Sequence, residues 1–369
     1  MRRREKPSAS PDYVFIGTLA ALVVFGLVML ASASSDLAKD KFGDSFYYLK
    51  RQLLHGLLPG VIGFLIGAFI PYRTWERFAT PLLITSIILL LLVFTPLGLM
   101  SHGARRWVNI YGFVFQPAEI LKLTFFVYLS AWMGKSKKRG KSFSEGFLPF
   151  LFLIGLMGAL LVLQPATTTA ILILVVAALM YFTAGARLTF LGGAILLAAL
   201  VIGLVIYRTP YRLERVITFL NPGRDAQGTG YHIDQAQIAI GSGGIFGVGY
   251  GKSTTKLHYL PEPIGDSIFA VIAEELGFIG ATGAIAAFVL FTARGLMIGR
   301  RARDAFGGLL ATGFTALIGL QAFVNIAAIS GLVPLTGLPL PFISYGGTAL
   351  AVFLAMCGII ANVSRYKRT

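Results

Sequence analysis

One carboxylate, Asp266, stands where it can either cap a helix or act as a general base. It follows the segment Pro261–Gly265 and directly precedes a long apolar run. An aspartate at this position can accept hydrogen bonds from the exposed backbone amides of a helix and complement the helix dipole. It can also accept a proton from a substrate at a boundary between water and an apolar phase. The spacing alone leaves both interpretations open.

Glu119 and Lys122 lie three residues apart within another apolar run. At that spacing the two side chains share one face of a helix and can form an ion pair. A charge at the centre of a bilayer costs roughly 2.5–3.5 kcal/mol on insertion scales, so such residues usually face the interior of a helix bundle. The pair is either a structural ion pair or part of a polar cavity in which Lys122 binds an anionic group.

Two adjacent carboxylates, Glu274 and Glu275, follow Asp266 in the same apolar run. Their separation from Asp266 corresponds to about 12–13 Å along a helix. Adjacent residues of a helix point about 100° apart, so the two carboxylates do not easily share one partner. We expect each of them to make structural polar contacts with neighbouring helices.

The glycine-rich segment 241–252 does not have the spacing of a phosphate-binding loop. Phe246 stands where the first glycine of a Walker A motif has to be. The glycines can form turns, or they can let a ligand approach the backbone closely. Turns are the favoured interpretation.

The elements that must position these side chains are membrane helices. Of the 369 residues, 56% are hydrophobic and only 13% are charged, about half the charged fraction of roughly 25% that is typical of soluble domains. The formal net charge of +16 comes mostly from cations between apolar runs, a distribution that indicates membrane topology rather than nucleic-acid binding. The composition therefore predicts a polytopic membrane protein that does not bind nucleic acid.

We predict an all-α fold with about ten transmembrane helices, because ten apolar runs approach the length that crosses a bilayer. The runs are 13–34, 54–71, 78–97, 116–133, 147–163, 167–184, 187–207, 266–293, 305–329 and 342–363. A single integral-membrane domain then covers residues 1–369, and the first run is expected to be a retained helix rather than a cleaved signal peptide.

The orientation follows from the cations outside these runs. Most lysines and arginines fall on the side of the N-terminus, and such residues mark the cytoplasmic side of a membrane. This places residues 1–12 and 364–369 in the cytoplasm. The longest polar segment, 208–265, then forms one long extracytoplasmic loop between the seventh and eighth spans.

Five motifs resemble the SEDS family, whose members serve shape, elongation, division and sporulation. The segment Asp266–Gly277 resembles the eighth-helix motif of that family, and Asn325–Gly347 resembles its C-terminal signature. Three shorter motifs also match: Gly103–Trp107, Gln116–Lys122 and Ile240–Gly244. Within the family, the stretches GARRWV and GVGYGKSTTKLHYLPE are closer to the cell-division branch than to the elongation branch.

The resemblance implies a peptidoglycan glycosyltransferase of the bacterial cytoplasmic membrane. Such an enzyme polymerises lipid II, a disaccharide-pentapeptide on undecaprenyl pyrophosphate, into β-1,4 glycan strands at the outer face during cell division. The proposed catalytic aspartate of the family corresponds to Asp266. Many members have His-Thr before this aspartate and Phe after it, whereas this chain has Ile264-Gly265 and Ser267, which alters the local loop but keeps the carboxylate.

The departing pyrophosphate needs positive charge nearby. Arg106 and Lys122 are candidates to supply this charge, and Glu119, the neighbour of Lys122, is the third candidate substrate-binding residue. A divalent cation such as Mg or Mn is an alternative source of charge, and the identity of any metal is left open.

A further group of residues is expected to shape the outer cavity rather than to take part in the chemistry. Pro and Gly interrupt membrane helices where a cavity or a neighbour satisfies the backbone. The group consists of Glu274, Glu275, Asn325, Pro341, Ser344 and Gly346.

The resemblance also implies partners: a class B penicillin-binding protein with transpeptidase activity, other division proteins, and membrane lipids around the helices. Two alternative functions are a lipid II flippase and a non-catalytic scaffold that recruits a transpeptidase. Among the three functions, only polymerisation needs a base at the outer face.

Overall fold

The structure is a computed structural model that describes residues 9–101, 103–136, 139–221 and 228–367. Parts of the predicted cytoplasmic termini, 1–8 and 368–369, and part of the long polar segment, 222–227, lie outside the described residues. The helices are α1 (Tyr13–Phe42), α2 (Tyr47–Phe69), α3 (Arg73–Phe94), α4 (Pro117–Gly134), α5 (Phe143–Leu163), α6 (Thr167–Thr183), α7 (Leu188–Tyr207), α8 (Pro210–Leu220), α9 (Thr229–Ser242), α10 (Thr255–His258), α11 (Ile268–Arg301), α12 (Ala305–Ile329) and α13 (Gly347–Val363).

The helical membrane architecture is confirmed. Within the described residues, seven helices are long and apolar enough to cross a membrane: α1, α2, α3, α5, α7, α11 and α12. Helices α6 and α13 are apolar but shorter, and α4 carries Glu119 and Lys122. Each of the ten predicted runs coincides with a helix, while the number of ten crossings stays a prediction.

Helix α12 forms the centre of the bundle and is buried along most of its length. It packs against α4, α6, α11 and α13. Small residues permit the closest approach, since Gly295 of α11 packs on Thr315 and Gly319 of α12 packs on Thr292. Small side chains at such contacts let membrane helices gain dispersion energy over a larger area.

A small antiparallel sheet interrupts the helices between α3 and α4. Its strands are β1 (Gly98–Ser101), β2 (Ala104–Ile110) and β3 (Phe113–Phe115), paired in the order β1-β2-β3. Tyr111 and Gly112 both have positive φ, at 50° and 87°, as a two-residue hairpin turn requires. The analysis of the sequence did not predict this sheet.

The long polar segment 208–265 contains helices rather than only a loop. Helix α8 begins with Pro210, whose fixed φ suits the first helical position. Its apolar residues Leu213, Ile217 and Leu220 recur at the spacing of one helix face. Helices α9 and α10 follow, and α9 packs against α11.

Helix α11 is broken at Gly277, whose φ of 65° and ψ of −164° are not helical. The segment Gly244–Gly249 bridges the break with its backbone. Val248 N and Gly249 N donate to Glu274 O and Glu275 O at 3.0 Å, while Phe278 N and Ile279 N donate to Gly244 O and Ile245 O at 2.9 and 3.2 Å. The glycine-rich segment therefore supplies the hydrogen bonds that the interrupted helix lacks, and what its backbone approaches closely is α11.

The break redirects the first half of α11, Ile268–Leu276, towards the bundle. Gly319 of α12 packs on Thr292 of α11. If α11 were straight, Asn325, which lies six residues after Gly319, would face the position six residues before Thr292. Instead, Asn325 donates to the carbonyl oxygen of Asp266 at 2.8 Å. A straight helix would carry Asp266 about 30 Å beyond that point.

The two described chain ends meet at one end of the bundle. Ala9 N donates to Arg365 O at 3.1 Å, and Asp12 forms a 2.8 Å ion pair with Arg294. Asp304, which begins α12, lies at the same end and pairs with Arg73 at 2.8 Å. Asp266 lies near Asn325, about 30 Å along α12 from Asp304, and thus at the opposite end from the chain ends.

Candidate active site

Three hydrogen bonds to backbone carbonyl oxygens fix the chain at Asp266 and at the two residues before it. The hydroxyl of Ser344 donates to Gly265 O at 2.6 Å, and Tyr345 N donates to Ile264 O at 2.8 Å. Asn325 Nδ2 donates both to Asp266 O at 2.8 Å and to Leu338 O at 2.7 Å. Asn325 and Ser344, expected to shape a cavity, thus hold the peptide groups at and before Asp266.

The carboxyl group of Asp266 does not cap a helix. The N-cap position of α11 belongs to Ser267, and its side chain makes no capping hydrogen bond. Asp266 Oδ1 is buried and accepts no hydrogen bond within the described part of the chain. Burial, with a smaller contribution from the negative charge of Glu262, raises the pKa of Asp266 to about 7, although the backbone amides of Asp266 and Ser267 and the charge of Arg215 act in the opposite direction. A carboxyl with this pKa can accept a proton near neutral pH.

Arg106 lies on β2, so the small sheet positions this cation. Its Nη2 atom donates to Pro165 O at 2.5 Å, while its buried Nε atom has no partner within the described residues. Burial lowers the pKa of Arg106, and the positive charges of Arg215 and Arg212 act in the same direction, whereas Tyr211 opposes them. A guanidinium that lies within electrostatic range of other cations is suited to bind an anionic ligand, because the anion would relieve the repulsion between the cations.

Arg215 of α8 is a cation that the analysis of the sequence missed. Its charge acts on Asp266, on Arg106 and on His232, so it lies within electrostatic range of all three groups. Its neighbour Arg212 donates from Nη2 to Val162 O at 3.3 Å, close to the Pro165 carbonyl that Arg106 contacts. The spacing of Arg212 and Arg215 on one amphipathic helix was the signal available in the sequence.

His232 of α9 is a second residue missed from the sequence. Its Nε2 atom lies 2.6 Å from the hydroxyl of Ser267, which donates to Pro261 O at 2.7 Å. Because the single hydroxyl proton is used for Pro261, we assign Nε2 as the protonated nitrogen. Burial and the charge of Arg215 lower the pKa of His232 to about 4, which leaves the imidazole neutral at physiological pH.

Glu119 and Lys122 form an ion pair in the interior of the bundle. Lys122 Nζ lies 2.7 Å from Glu119 Oε2 and donates to Gln321 Oε1 at 3.1 Å. The Lys122 side chain is fully buried and lies over the ring of Phe353. The structure contains the ion pair of the structural interpretation, and contact between Lys122 and an anionic group stays a prediction.

The remaining predicted residues lie around these groups. Pro341 and Gly346 belong to the irregular segment between α12 and α13, where Gly346 N donates to the side chain of Gln52 at 3.0 Å. Glu274 and Glu275 have separate partners. Glu274 accepts from Thr254 N at 3.0 Å, and Glu275 pairs with Lys256 at 2.8 Å. The sequence contains no local signal for either partnership.

Comparison with known proteins gives matches over nearly the whole chain. The model of the cell cycle protein family that covers FtsW, RodA and SpoVE matches residues 12–369. A protein of Geobacter sp. strain M18 named probable peptidoglycan glycosyltransferase FtsW is 39% identical, over 97% of each chain. Stage V sporulation protein E of Bacillus subtilis is 39% identical, over 97% of this chain and 98% of its own length.

Solved structures share the same fold. A chain of a peptidoglycan synthase complex, described as coordinating polymerization and crosslinking, superposes with a TM-score of 0.81 at 30% identity and covers 96% of this chain and 98% of its own. The rod shape determining protein RodA of Thermus thermophilus superposes with a TM-score of 0.70 at 27% identity, over 96% and 97% of the two chains.

Proposed function

Since the chain belongs to the FtsW, RodA and SpoVE family of cell cycle proteins, we propose that it is a peptidoglycan glycosyltransferase of the FtsW type. Its substrate is lipid II, which it polymerises into β-1,4 glycan strands during cell division. The observation that supports this most directly is the carboxyl of Asp266, whose buried Oδ1 atom accepts no hydrogen bond in the described chain and on which the positive charge of Arg215 acts.

In the proposed reaction, a hydroxyl group of the acceptor sugar attacks the anomeric carbon of the donor sugar. Asp266 takes the hydroxyl proton, and the oxygen forms the new glycosidic bond. The bond between the anomeric carbon and the pyrophosphate oxygen breaks, and its electron pair leaves with undecaprenyl pyrophosphate. The leaving group is a stable anion, so the step needs no strong general acid.

In this scheme, Arg215 and the neighbouring Arg106 stabilise the negative charge that develops on the leaving pyrophosphate. Arg106 and Arg215 are placed for this role because their charges act on one another, and Arg215 also acts on Asp266. Fixed positive charges in a water-poor site lower the free energy of such a transition state without reorganisation. Lys122 binds substrate in this scheme only if its pair with Glu119 opens.

A divalent cation does not fit the described residues well. Among them, no group of three or more His, Cys, Asp or Glu side chains lies close enough to hold a metal ion. Glu262 and Asp266 offer two carboxylates, and hard divalent cations usually keep several further oxygen ligands. None of the proposed steps is therefore assigned to a metal.

The proposed enzyme works at the outer face of the cytoplasmic membrane, where exported lipid II is found, with both chain ends in the cytoplasm. The meeting of the described chain ends at the end of the bundle opposite to Asp266 supports this arrangement. A class B penicillin-binding protein is the proposed partner, since the related synthase complex couples polymerization to crosslinking. Other division proteins are proposed to join this pair.

Purified protein with its transpeptidase partner and fluorescent lipid II tests the proposal. We expect glycan polymer on a denaturing gel for the natural chain, and at least a hundredfold less for Asp266→Asn, which keeps the shape but cannot accept a proton. A folded Asp266→Asn variant with full activity would remove the base assignment. Lipid scrambling without polymer would favour the flippase, and recruitment of the transpeptidase with neither activity would favour the scaffold.

A further inference from the structure

Lys256 and Glu275 are two buried charges that the proposed reaction does not use. Their ion pair measures 2.8 Å, and the side chains are only 2% and 0% exposed. Burying two charges costs several kcal/mol per ion before their attraction is counted, so a buried pair is weak evidence of a contribution to stability. The alternative is that the pair fixes one arrangement of the chain. In that case its contacts should join separate parts of the molecule.

The contacts of Lys256 join three parts of the molecule. Its Nζ atom donates to the carbonyl and hydroxyl oxygens of Ser32 and to the carbonyl oxygen of Gly251, each at 3.1 Å. The hydroxyl of Ser32 donates to the carboxylate of Glu275 at 2.6–2.7 Å. Helix α1, the segment before α10 and the first half of α11 are thereby tied together at one point.

Glu274 fixes the same segment from the neighbouring position. It accepts hydrogen bonds from Ser253 Oγ at 2.5 Å, from Thr254 N at 3.0 Å and from the hydroxyl of Thr255. The two adjacent carboxylates point in different directions, and together they hold residues 253–256 against the end of the first half of α11. Every contact of this network lies close to the break at Gly277.

The break isolates the part of α11 that follows Asp266. Residues Ile268–Leu276 form a short rigid helix with Asp266 before its start and Glu275 near its end. Because Gly277 is not helical, the remainder of α11 does not determine where this short helix lies. Its position depends on the backbone bridge from Gly244–Gly249, on the contacts at Ile264–Asp266 and on the network of Lys256.

We propose that Lys256 is a positioning residue for Asp266, which acts by pairing with Glu275 and thereby fixing the first half of α11 against α1. This inference rests on the proposed function, since it assigns Lys256 to the same reaction. A small displacement of the short helix moves the carboxylate relative to the reacting hydroxyl, and a misplacement of 1 Å can cost on the order of a hundredfold in rate.

Kinetics with lipid II and the partner transpeptidase test the proposal. We expect Lys256→Met to lower kcat about tenfold or more and to change KM by less than about twofold, because the substrate-binding cations are unchanged. Lys256→Arg should restore most of kcat. Lys252→Met is the matched control, since Lys252 lies on the same segment and is exposed, and it should behave like the natural chain.

A second variant keeps the test valid if Lys256→Met does not fold. The double variant Lys256→Met/Glu275→Gln leaves no buried carboxylate without its partner. The side-chain amide oxygen at position 275 can still accept a hydrogen bond from the hydroxyl of Ser32. Removal of both charges relieves the desolvation cost of the pair. We expect this variant to fold and still to have a low kcat; a folded double variant with normal kcat overturns the proposal.

Cysteine labelling gives a readout that does not need activity. Cys357, the single cysteine, is buried and is replaced by Ala, and Asp266→Cys then carries the reporter thiol. We expect Lys256→Met to change the rate of labelling by a charged thiol reagent at least threefold, and Lys252→Met to leave it unchanged. An unchanged rate in Lys256→Met overturns the proposal, whereas a natural chain that makes no polymer overturns only the proposed function.

Discussion

His232 Nε2 lies 2.6 Å from the hydroxyl of Ser267, the residue directly after Asp266. The hydroxyl in turn donates a hydrogen bond to the carbonyl oxygen of Pro261, so a chain of two hydrogen bonds links α9 to the turn that carries the carboxylate. Such chains in a low-dielectric interior fix geometry, because each donor has one acceptor. His232 thereby restrains the peptide on the far side of Asp266 from Ile264, where Tyr345 N binds.

Replacement of His232 by Phe should lower polymerisation, whereas His232→Gln should retain most of it. Phe removes the donor to Ser267, while the amide of Gln replaces it. Loss of a buried hydrogen bond costs roughly 1–3 kcal/mol, so we expect a fall in kcat of about tenfold for His232→Phe. Lipid II kinetics check this, and equal activity of the two variants contradicts it.

The rate of polymerisation should depend on the ionisation of Asp266. Burial and Glu262 raise the pKa of Asp266 to about 7, and the base must be ionised to accept a proton. We therefore expect kcat/KM, which reports the free enzyme, to rise with pH up to about 7 and then to level off. Glu262→Gln should move this rise to lower pH, and Glu214→Gln, at an exposed position of α8, is the control.

Because its pKa is raised, Asp266 destabilises the folded state above neutral pH, where its carboxyl is ionised. Its folded-state pKa of about 7 lies above the ordinary value of 3.8, so the folded state is favoured by protonation and this contribution is lost as pH rises through about 7. Asp266→Asn should therefore melt at higher temperature than the natural chain at pH 8, and the difference should shrink at pH 5. Thermal unfolding in detergent measures it, and a lower melting temperature at pH 8 contradicts it.

Arg215→Ala should lower kcat/KM for lipid II more than removal of an exposed arginine does. An interaction with a charged group contributes roughly 1.5–3 kcal/mol, so we expect kcat/KM to fall about tenfold or more. The pKa of Asp266 should also rise, because Arg215 lowers it. Arg208→Ala is the matched control at an exposed arginine near the start of α8, and an equal loss in both variants contradicts a specific role for Arg215.

Gly247→Ala should destabilise the protein far more than Gly251→Ala. Both glycines have φ near +80°, so a side chain costs about 1–2 kcal/mol at either position. A Cβ atom on Gly247 would lie 2.1 Å from Glu275 O, whereas a Cβ on Gly251 meets nothing within 4 Å. Only Gly247→Ala should therefore separate the bridge from α11, and thermal unfolding of the two variants measures the difference.

The membrane helices and Asp266 could be predicted from the sequence because their signals are local. An apolar run of about 20 residues has few alternatives to a helix in lipid, and the observed α12 begins and ends at the predicted 305 and 329. Asp266 stands out because it is a carboxylate directly before a long apolar run. The pairing of Glu119 with Lys122 likewise follows from spacing on one helix.

The residues that position Asp266 could not be predicted, because their partners are distant in the sequence. Ser32 and Glu275 are 243 residues apart, and His232 is separated from Ser267 by 35. Lys256 has the same residue type as exposed Lys252, and only the folded chain distinguishes them. The small sheet was missed for another reason, since Tyr111-Gly112 is a hairpin signal that the surrounding apolar runs obscure.

The contacts of α1 impose an order on biosynthesis. This helix leaves the ribosome before α11, yet Ser32 and Asp12 contact partners on α11, and Ala9 donates to Arg365. At about 5–20 residues per second, the 243 residues between Ser32 and Glu275 take on the order of 10–50 s to translate. During that interval α1 lacks the partners that Ser32 and Asp12 have on α11, so a chain that stops before α11 loses the contacts that hold α1 against that helix.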